Sequence, residues 1–200
     1  MKIFKRVLIA LLAIILLAGV VGFFLPQHVL VERSAVINAP VEVVSAQINE
    51  FKNWNNWSPW YAIDPTEKIV YSEPSFGKGA WFTWESLNSE VGSGKMMLGE
   101  VTADKTEFIL NYQNSGDANG FFTFTPENGG TKVNWSFDAD FKNNPYMHLV
   151  GLFMDKMLGG YFEKGLANMK AYVESHPVAP ATPATPEIGT AVTDSSAATH

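Results

Sequence analysis

The chain has 200 residues, of which 46% are hydrophobic and 13% are aromatic, and its formal net charge is −6. A length of this order allows one domain of ordinary size with further segments at its ends, and an acidic chain without a basic patch is a poor candidate for binding nucleic acid. Cys is absent from the chain, which excludes disulfides and thiolate metal sites.

Residues 7–25 form an uninterrupted apolar run, VLIALLAIILLAGVVGFFL. A helix of that length spans a hydrocarbon core of about 30 Å. Lys2, Lys5 and Arg6 precede the run, whereas the first acidic residue is Glu32. The positive-inside rule therefore predicts a single-pass helix in the inner (cytoplasmic) membrane, with the following domain on the non-cytoplasmic side, facing the periplasm or the cell exterior.

A cleaved signal peptide is the alternative interpretation of the same run. The apolar region of a signal peptide has about 7–15 residues and is followed by small residues, whereas this run ends in Phe23, Phe24 and Leu25. We therefore assign residues 1–28 to a membrane anchor. Three of the 14 Lys and Arg residues precede the run, so the remaining 11 stand against 20 acidic residues. Such a domain would be held at an anionic membrane by its helix rather than by surface charge.

Residues 30–37 mix β-branched and polar side chains and predict a strand. Beyond Pro40, the apolar residues Val41, Val44 and Ile48 fall at the spacing of an amphipathic helix of about ten residues. The strand and the helix are joined by a short Asn-Ala-Pro segment, in which Pro suits the first helical turn.

The stretch 51–65, FKNWNNWSPWYAIDP, holds half of the six Trp residues. Trp54, Trp57 and Trp60 drift around an α-helix by about 60° at each step, so we expect their rings to point to different neighbours. Pro59 is expected to end the helix before Trp60. We interpret Trp54 and Trp57 as a buried plug where short helices close a sheet, and Trp60 as the hinge into the next strand, rather than as a ligand cage or a membrane belt.

Beyond residue 65 the hydrophobic period becomes two, with turn-forming residues between short segments. The last segment has one apolar and one polar face, as strands of an antiparallel sheet do. Six strands are predicted there: Glu67–Ser72, Ala80–Ser86, Lys95–Val101, Thr106–Tyr112, Gly120–Thr125 and Thr131–Phe141.

Residues 146–174 return to helical spacing. The pair Gly159-Gly160 costs about 1 kcal/mol per Gly relative to Ala, so we expect a break there and a longer helix from about 160 to 175. Residues 177–200 hold four Pro among Ala, Thr and Ser, which predicts a disordered tail and leaves 29–176 as the folded domain. The element order predicts an α+β fold, in which a curved antiparallel sheet of about seven strands surrounds a long C-terminal helix.

Several short motifs within residues 29–176 carry a family resemblance. They are Arg33 with INAP at 37–40, FKNWNNWSPW and DP within 51–65, Tyr71, GKGAWFTWES at 77–86, GSGKM at 92–96, GTKVNW at 130–135 and EKGLANMK at 163–170. Together they resemble the START-like (SRPBCC, helix-grip) superfamily, in particular its bacterial polyketide cyclase/dehydrase and lipid transport group. The resemblance implies a scaffold that serves carriers, cyclases, hydrolases and co-chaperone-type modules, and it transfers no catalytic motif to this chain.

Few residues offer catalytic chemistry. The four His show no metal-binding spacing, and neither an HExxH motif nor a GxSxG elbow occurs, so we expect no metal and no cofactor. Glu100 shares the parity of Met96 and Leu98, so it either points inward at a strand end or is solvated at the rim. His148 stands before the C-terminal helices, where it is either catalytic or a surface or capping residue. With Tyr112, these two residues are the candidates for acid–base work.

Strand alternation turns an aromatic and aliphatic face inward, which is either a packed core or a pocket for an apolar ligand. The residues we expect to line such a pocket are Trp84, Tyr112, Phe124 and Trp135, with Met147, Met154 and Met157 as an adaptable wall from the C-terminal helices.

Three functions are compatible with these features. The preferred one is a membrane-tethered binding domain for a hydrophobic small molecule or lipid. The second is a cyclase- or hydrolase-type enzyme on the same fold. The third is a protein-interaction domain that uses an outward-facing Trp81 and residues 177–200, and the sequence does not name its protein partner.

Overall fold

The computed structural model describes residues 2–113 and 117–177, so the predicted tail beyond Pro177 lies outside the described residues. Its helices are α1 (Lys2–Phe23), α2 (Val41–Asn49), a 3-10 helix (Phe51–Asn56), α3 (Pro59–Ile63) and α4 (Pro145–Ser175). Its strands are β1 (His28–Ile37), β2 (Lys68–Tyr71), β3 (Trp81–Glu85), β4 (Ser93–Val101), β5 (Lys105–Tyr112), β6 (Asp117–Glu127) and β7 (Gly130–Asp140).

The seven strands form one sheet in the order β1-β7-β6-β5-β4-β3-β2, and every neighbouring pair is antiparallel. The long helix α4 packs on the inner face of the sheet, mainly against β1, and α2 covers parts of β5, β6 and β7. The predicted α+β helix-grip architecture is therefore confirmed. The six strands predicted after residue 65 are all present, with ends displaced by at most three residues.

The Trp-rich stretch is part of the core, as predicted, but its rings converge. Trp54 and Trp57 are 5% and 1% exposed, and each ring contacts Trp135 of β7. Trp54 belongs to the 3-10 helix and Trp57 caps it. Such a helix has three residues per turn, which places positions i and i+3 on the same side. The prediction of different neighbours was wrong because it assumed the 3.6 residues per turn of an α-helix.

Trp60 is not the hinge that was predicted. Pro59 occupies the first turn of α3 and begins that helix rather than preventing it, and the Ser58 side chain caps it by accepting from the backbone N–H of Tyr61. Trp60 therefore lies within a helix, stacked on Tyr161 of α4 at a centroid distance of 5.5 Å and edge-on to Trp135. All three Trp of the stretch thus pack around one Trp of the sheet.

The predicted break at Gly159-Gly160 is wrong, because α4 is one helix of 31 residues. A Cβ at Gly159 would overlap the guanidinium of Arg33, which reaches across from β1. That guanidinium donates to Asp155 Oδ1 at 2.8 Å and to Glu163 Oε1 at 2.6 Å, on the turns before and after Gly159. The Gly gives the Arg33 side chain room against the helix backbone rather than interrupting the helix.

The N-terminal helix α1 packs against the first turns of α4. Pro145 leaves no room for a side chain at Gly22, and the Tyr146 hydroxyl donates to the Ile15 carbonyl at 3.3 Å. Between Arg6 and Gly22, α1 is apolar and mostly exposed. It is the one described helix long and apolar enough to cross a membrane, which is a property of membrane anchors and of signal sequences alike.

Candidate functional site

The inner face of the sheet is only partly covered at one end, which we name the α1 end. It is the end where His28 of β1 pairs with Asp140 of β7 and where β6 pairs Asp117 with Asn111 of β5. Two rows of inward-facing residues cross strands β3 to β6 there: Trp84–Gly94–Tyr112 and Phe82–Met96–Leu110–Ala118. Except for Met96, these residues are half-buried, whereas the next row along the strands, which contains Leu98 and Phe108, is buried.

Two glycines, Gly94 in β4 and Gly92 in the turn before it, make room for the aromatic rings of the Trp84 row. A Cβ at Gly94 would stand 2.5 Å from Cη2 of Trp84, and one at Gly92 would stand 2.5 Å from the Tyr112 hydroxyl oxygen. The absence of these side chains allows both rings to lie close to the sheet. The Trp84 indole N–H donates to the Val91 carbonyl at 3.2 Å, which fixes the ring orientation.

The other two predicted lining residues, Phe124 and Trp135, lie in the packed interior. They are 3% and 1% exposed, and Trp135 stacks on Phe162 of α4 at a centroid distance of 4.2 Å. Within the described residues, the Trp135 indole N–H is buried without a hydrogen-bond acceptor. A buried unpaired donor costs about 1–3 kcal/mol, so this N–H is available to a water or to a ligand that reaches it.

Two depressions, of about 250 and 450 Å³, lie on the surface around Pro40. They are at the end of the sheet opposite to the α1 end, since Ile37 closes β1 there. Neither is lined by a predicted site residue. These two depressions therefore do not coincide with the half-covered rows of Trp84 and Phe82, which lie at the α1 end.

The predicted methionine wall is only partly present. Met154 packs against the core and is half-buried, and Met147 is half-buried as well. Met157 is 55% exposed on the outer face of α4, so the prediction that it faces the interior was wrong. The reason is that α4 continues without a break, which fixes the rotation of its first half relative to the sheet.

The three candidates for acid–base work are not brought together. Glu100 is exposed and paired with Lys78, because a β-bulge between Leu98 and Val101 shifts the register of β4 at that point. It lies six residues along β4 from Gly94, the partner of Tyr112, which corresponds to about 20 Å of strand. The inward orientation that would have made Glu100 a cavity acid is not observed.

His148 is 3% exposed, rather than at the surface, but it lies between α1 and α4 instead of facing the half-covered rows. Its Nδ1 is 2.9 Å from the Gly22 carbonyl oxygen and its Nε2 is 2.7 Å from the Lys142 carbonyl oxygen. Carbonyl oxygens only accept, so a ring nitrogen of His148 that bears a proton donates to the carbonyl that it faces. The sequence showed only a lone His near a helix start.

Two acidic residues, Asp64 and Glu67, lie just before β2 at the rim of the α1 end. Hydrogen bonds from the hydroxyls of Ser86 and Thr66 hold the pKa of Asp64 below its ordinary value, and they tie the start of β2 to the turn after β3. Burial raises the pKa of Glu67 nearby. No group of three or more His, Cys, Asp or Glu residues within 2–113 and 117–177 could hold a metal ion.

The outward-facing Trp81 is half-buried, and the Lys95 ammonium lies 5.0 Å from the centroid of its ring. Such a cation–π contact covers part of the indole with a hydrated side chain. The described surface around Trp81 therefore combines an aromatic ring with a charged side chain. The other part of the predicted protein-interaction site, residues 178–200, lies outside the described residues.

Comparisons with solved structures agree with this architecture. The chain is similar to a protein of unknown function, SA2116, from Staphylococcus aureus (TM-score 0.58, 13% identity, 75% of this chain and 96% of that one). It is similar to the di-domain ARO/CYC StfQ from the steffimycin biosynthetic pathway (TM-score 0.59, 15% identity, 75% of this chain), of which it spans about half, 52%. It also resembles TTHA0849 from Thermus thermophilus (TM-score 0.54, 16% identity, 74% and 99%).

These identities are low, so the structural likenesses establish the fold alone. A search of curated protein sequences found no match. A family model described as polyketide cyclase / dehydrase and lipid transport matches residues 28–174, which is most of the chain and nearly all of the region from β1 to α4. The chain therefore belongs to the polyketide cyclase / dehydrase and lipid transport family.

Proposed function

We propose that this protein is a membrane-tethered binding domain that holds a hydrophobic small molecule or a lipid at the α1 end of its sheet. The family to which the chain belongs has a fold suited to hydrophobic ligands. The observation that carries the proposal is the half-covered surface of Trp84, Leu110 and Tyr112, because contiguous apolar surface left open in a concave face is typical of binding sites.

Recognition at this surface would be mainly apolar. The inward rows consist of aromatic and aliphatic side chains, and burial of such surface is worth about 25 cal/mol per Å². Among the described residues, the polar groups near these rows include the Tyr112 hydroxyl, which accepts from Gln113 Nε2 at 3.2 Å, and the Trp135 indole N–H, which lies deeper in the interior. The ligand would therefore be selected by shape and apolar area, with few hydrogen bonds.

The tethering part of the proposal is supported by α1 and its flanks. The helix is apolar over its whole length after Arg6, and the positive charges of Lys2, Lys5 and Arg6 favour a cytoplasmic location for its first residues. Phe23 and Phe24 are exposed at its other end, where bulky residues disfavour cleavage by signal peptidase. The domain from β1 to α4 would thus face the periplasm or the cell exterior.

Photo-crosslinking in membranes tests this proposal. The full chain is reconstituted in phosphatidylcholine vesicles with a fatty acid that carries a diazirine in its acyl chain, and labelled peptides are mapped by mass spectrometry after irradiation. Labelling of α1 reports insertion of the anchor. We expect additional labelling on β3 to β5, reduced several-fold by Trp84→Ala. Trp81→Ala is the matched control, since it removes the same ring from the outer face of the same strand.

Two results would contradict the proposal. Labelling confined to α1 would mean that the α1 end of the sheet binds no acyl chain. Equal effects of Trp84→Ala and Trp81→Ala would mean that labelling of the strands does not depend on the inner face. Native mass spectrometry of the detergent-purified protein gives a second measurement, because a bound molecule that survives purification adds its own mass.

A further inference from the structure

The first half of α4 has an exposed apolar face. Tyr146, Val150, Phe153 and Met157 are 47%, 39%, 60% and 55% exposed. Their spacing of four, three and four residues places them on one stripe of the helix, on the side turned away from the sheet. The residues that face the sheet, such as Gly151, are buried. This half of α4 is therefore apolar on both its inner and its outer side.

The second half of the same helix has a different outer face. The stripe continues through Gly160, Lys164, Ala167 and Ala171, which are exposed and small or charged. A helix face in contact with water is normally polar along its whole length. The change from large apolar to small and charged residues falls near the middle of α4, so the outer face of its first half is suited to an apolar partner rather than to water.

The position of the apolar stripe identifies what covers it. Tyr146, which begins the stripe, donates through its hydroxyl to the Ile15 carbonyl of α1. Ile15 lies eight residues before Phe23, the end of α1, which corresponds to about 12 Å along the helix. If α1 crosses a bilayer, α4 begins at the outer end of the anchor, where Pro145 contacts Gly22, and the Tyr146 side chain reaches back along the anchor to Ile15. The stripe on α4 therefore begins next to α1, whose residues after Arg6 are mostly exposed and apolar as well.

We infer that the outer face of α4, from Tyr146 to Met157, docks into the outer surface of the lipid bilayer next to the anchor. The inference rests on the proposed tethering by α1. Docking is driven by apolar area rather than by charge, in keeping with the acidic composition of the domain. Asp155 is turned toward Arg33 of β1, away from the stripe, and Lys156 is exposed beside it, where a long cationic side chain can reach the headgroups.

Docking in this orientation gives the α1 end of the sheet a defined location. The row of Trp84, Gly94 and Tyr112 lies at the end of the sheet where α4 begins. Docking would therefore bring the half-covered apolar surface close to the membrane, which shortens the path of a lipid between the bilayer and the sheet. A second copy of this chain would be the other occupant able to cover the stripe, and the experiment below separates the two.

Fluorescence quenching with single-cysteine variants tests the inference. Because the chain has no native Cys, each variant carries a single labelling site. Phe153→Cys is labelled with an NBD fluorophore in the full chain and reconstituted in phosphatidylcholine vesicles. Ala171→Cys is the control on the same stripe in the second half of α4, and Ile9→Cys reports the anchor. We expect at least twofold stronger quenching at Phe153→Cys than at Ala171→Cys by lipids spin-labelled near the headgroup, and the reverse with aqueous iodide.

The outcomes distinguish failure of docking from failure of tethering. If the Ile9→Cys probe is quenched by spin-labelled lipid while Phe153→Cys behaves like Ala171→Cys, the anchor is inserted and docking is refuted. If the Ile9→Cys probe is not quenched by lipid, tethering fails and docking fails with it. If the Phe153→Cys probe is shielded from both quenchers, a second copy covers the stripe and docking is also refuted. Val150→Cys repeats the measurement should Phe153→Cys disturb the helix.

Discussion

Replacing the two adjacent glycines of α4 one at a time separates backbone propensity from the packing of Arg33. Both glycines lie in the interior of one helix, so each change to Ala should gain about 0.5–1 kcal/mol of intrinsic helix stability. Nothing lies within 4 Å of a Cβ built at Gly160. We therefore expect Gly160→Ala to raise the free energy of unfolding by the full propensity gain.

Gly159→Ala should not show this gain. A Cβ there would stand 2.7 Å from Cζ of Arg33, inside the contact distance of two carbon atoms. The guanidinium ends a flexible side chain and can move, but any movement disturbs its paired hydrogen bonds to Asp155 and its bond to Glu163. We expect Gly159→Ala to be no more stable than wild type, and at least about 0.5–1 kcal/mol below Gly160→Ala, since the propensity gain is the same.

Thermal unfolding of the detergent-solubilised protein measures the difference. A change of 1 kcal/mol shifts the midpoint of a domain of about 150–250 residues by roughly 2–4 °C. The decisive control is the Arg33→Ala background, in which Gly159→Ala should stabilise as much as Gly160→Ala does. Equal gains from both changes in the wild-type background would refute the assignment of Gly159 to the Arg33 contact, as would a loss at Gly159→Ala that persists without Arg33.

Three further changes test other contacts. Trp57→Ala should lower the free energy of unfolding by about 3–5 kcal/mol in urea titrations, because the ring is buried, and a loss below about 1 kcal/mol would contradict the plug. Arg33 holds the pKa of Asp155 below its ordinary value of 3.8, so this carboxylate stabilises the fold above pH 3.8 and its contribution fades as the pH falls toward the lowered pKa. The free energy of unfolding of the wild type should therefore fall more between pH 6 and 3 than that of Arg33→Met. An equal fall in the two proteins would contradict a stabilising ion pair between Arg33 and Asp155. His148→Phe removes the hydrogen bond between the imidazole and the Gly22 carbonyl that joins α4 to α1, at a cost of about 0.5–1.5 kcal/mol; unchanged hydrogen exchange where α1 meets α4 would contradict this role.

The strands and the family were predictable from the sequence because their signals are local. Alternation along β7 fixes which side chains face inward, and a one-residue slip would bury the polar set, so the register follows from the pattern. The two rows at the α1 end were predictable only as inward-facing residues. That Trp84 is half-exposed while Trp135 is buried depends on where α4 and the 3-10 helix lie over the sheet, and a strand pattern does not contain that information.

The errors have a common physical origin in contacts between distant residues. A Gly pair in a helical sequence indicates low propensity, but only the guanidinium of Arg33, 126 positions before Gly159, explains why one of the pair is needed. The rings of Trp54 and Trp57 share one side because that segment winds as a 3-10 helix, which propensity does not distinguish from an α-helix over six residues. His148 looked like a surface residue because its partner, the Gly22 carbonyl, belongs to the segment interpreted as a separate anchor.

The packed interior constrains how the proposed ligand can be held. Trp54, Trp57, Trp135 and Phe162 fill the space between the sheet and α4, so a molecule held on the inner face would lie over the half-covered rows near Trp84 rather than in the interior. A ligand at such a shallow site keeps part of its apolar surface uncovered, which is unfavourable in water. The uncovered part would contact acyl chains if the α1 end stands on the bilayer, so docking of α4 and binding at the sheet reinforce each other. The affinity for an acyl chain should accordingly be higher in vesicles than in detergent-free solution, and mutations on the outer face of α4 should weaken it without touching the site.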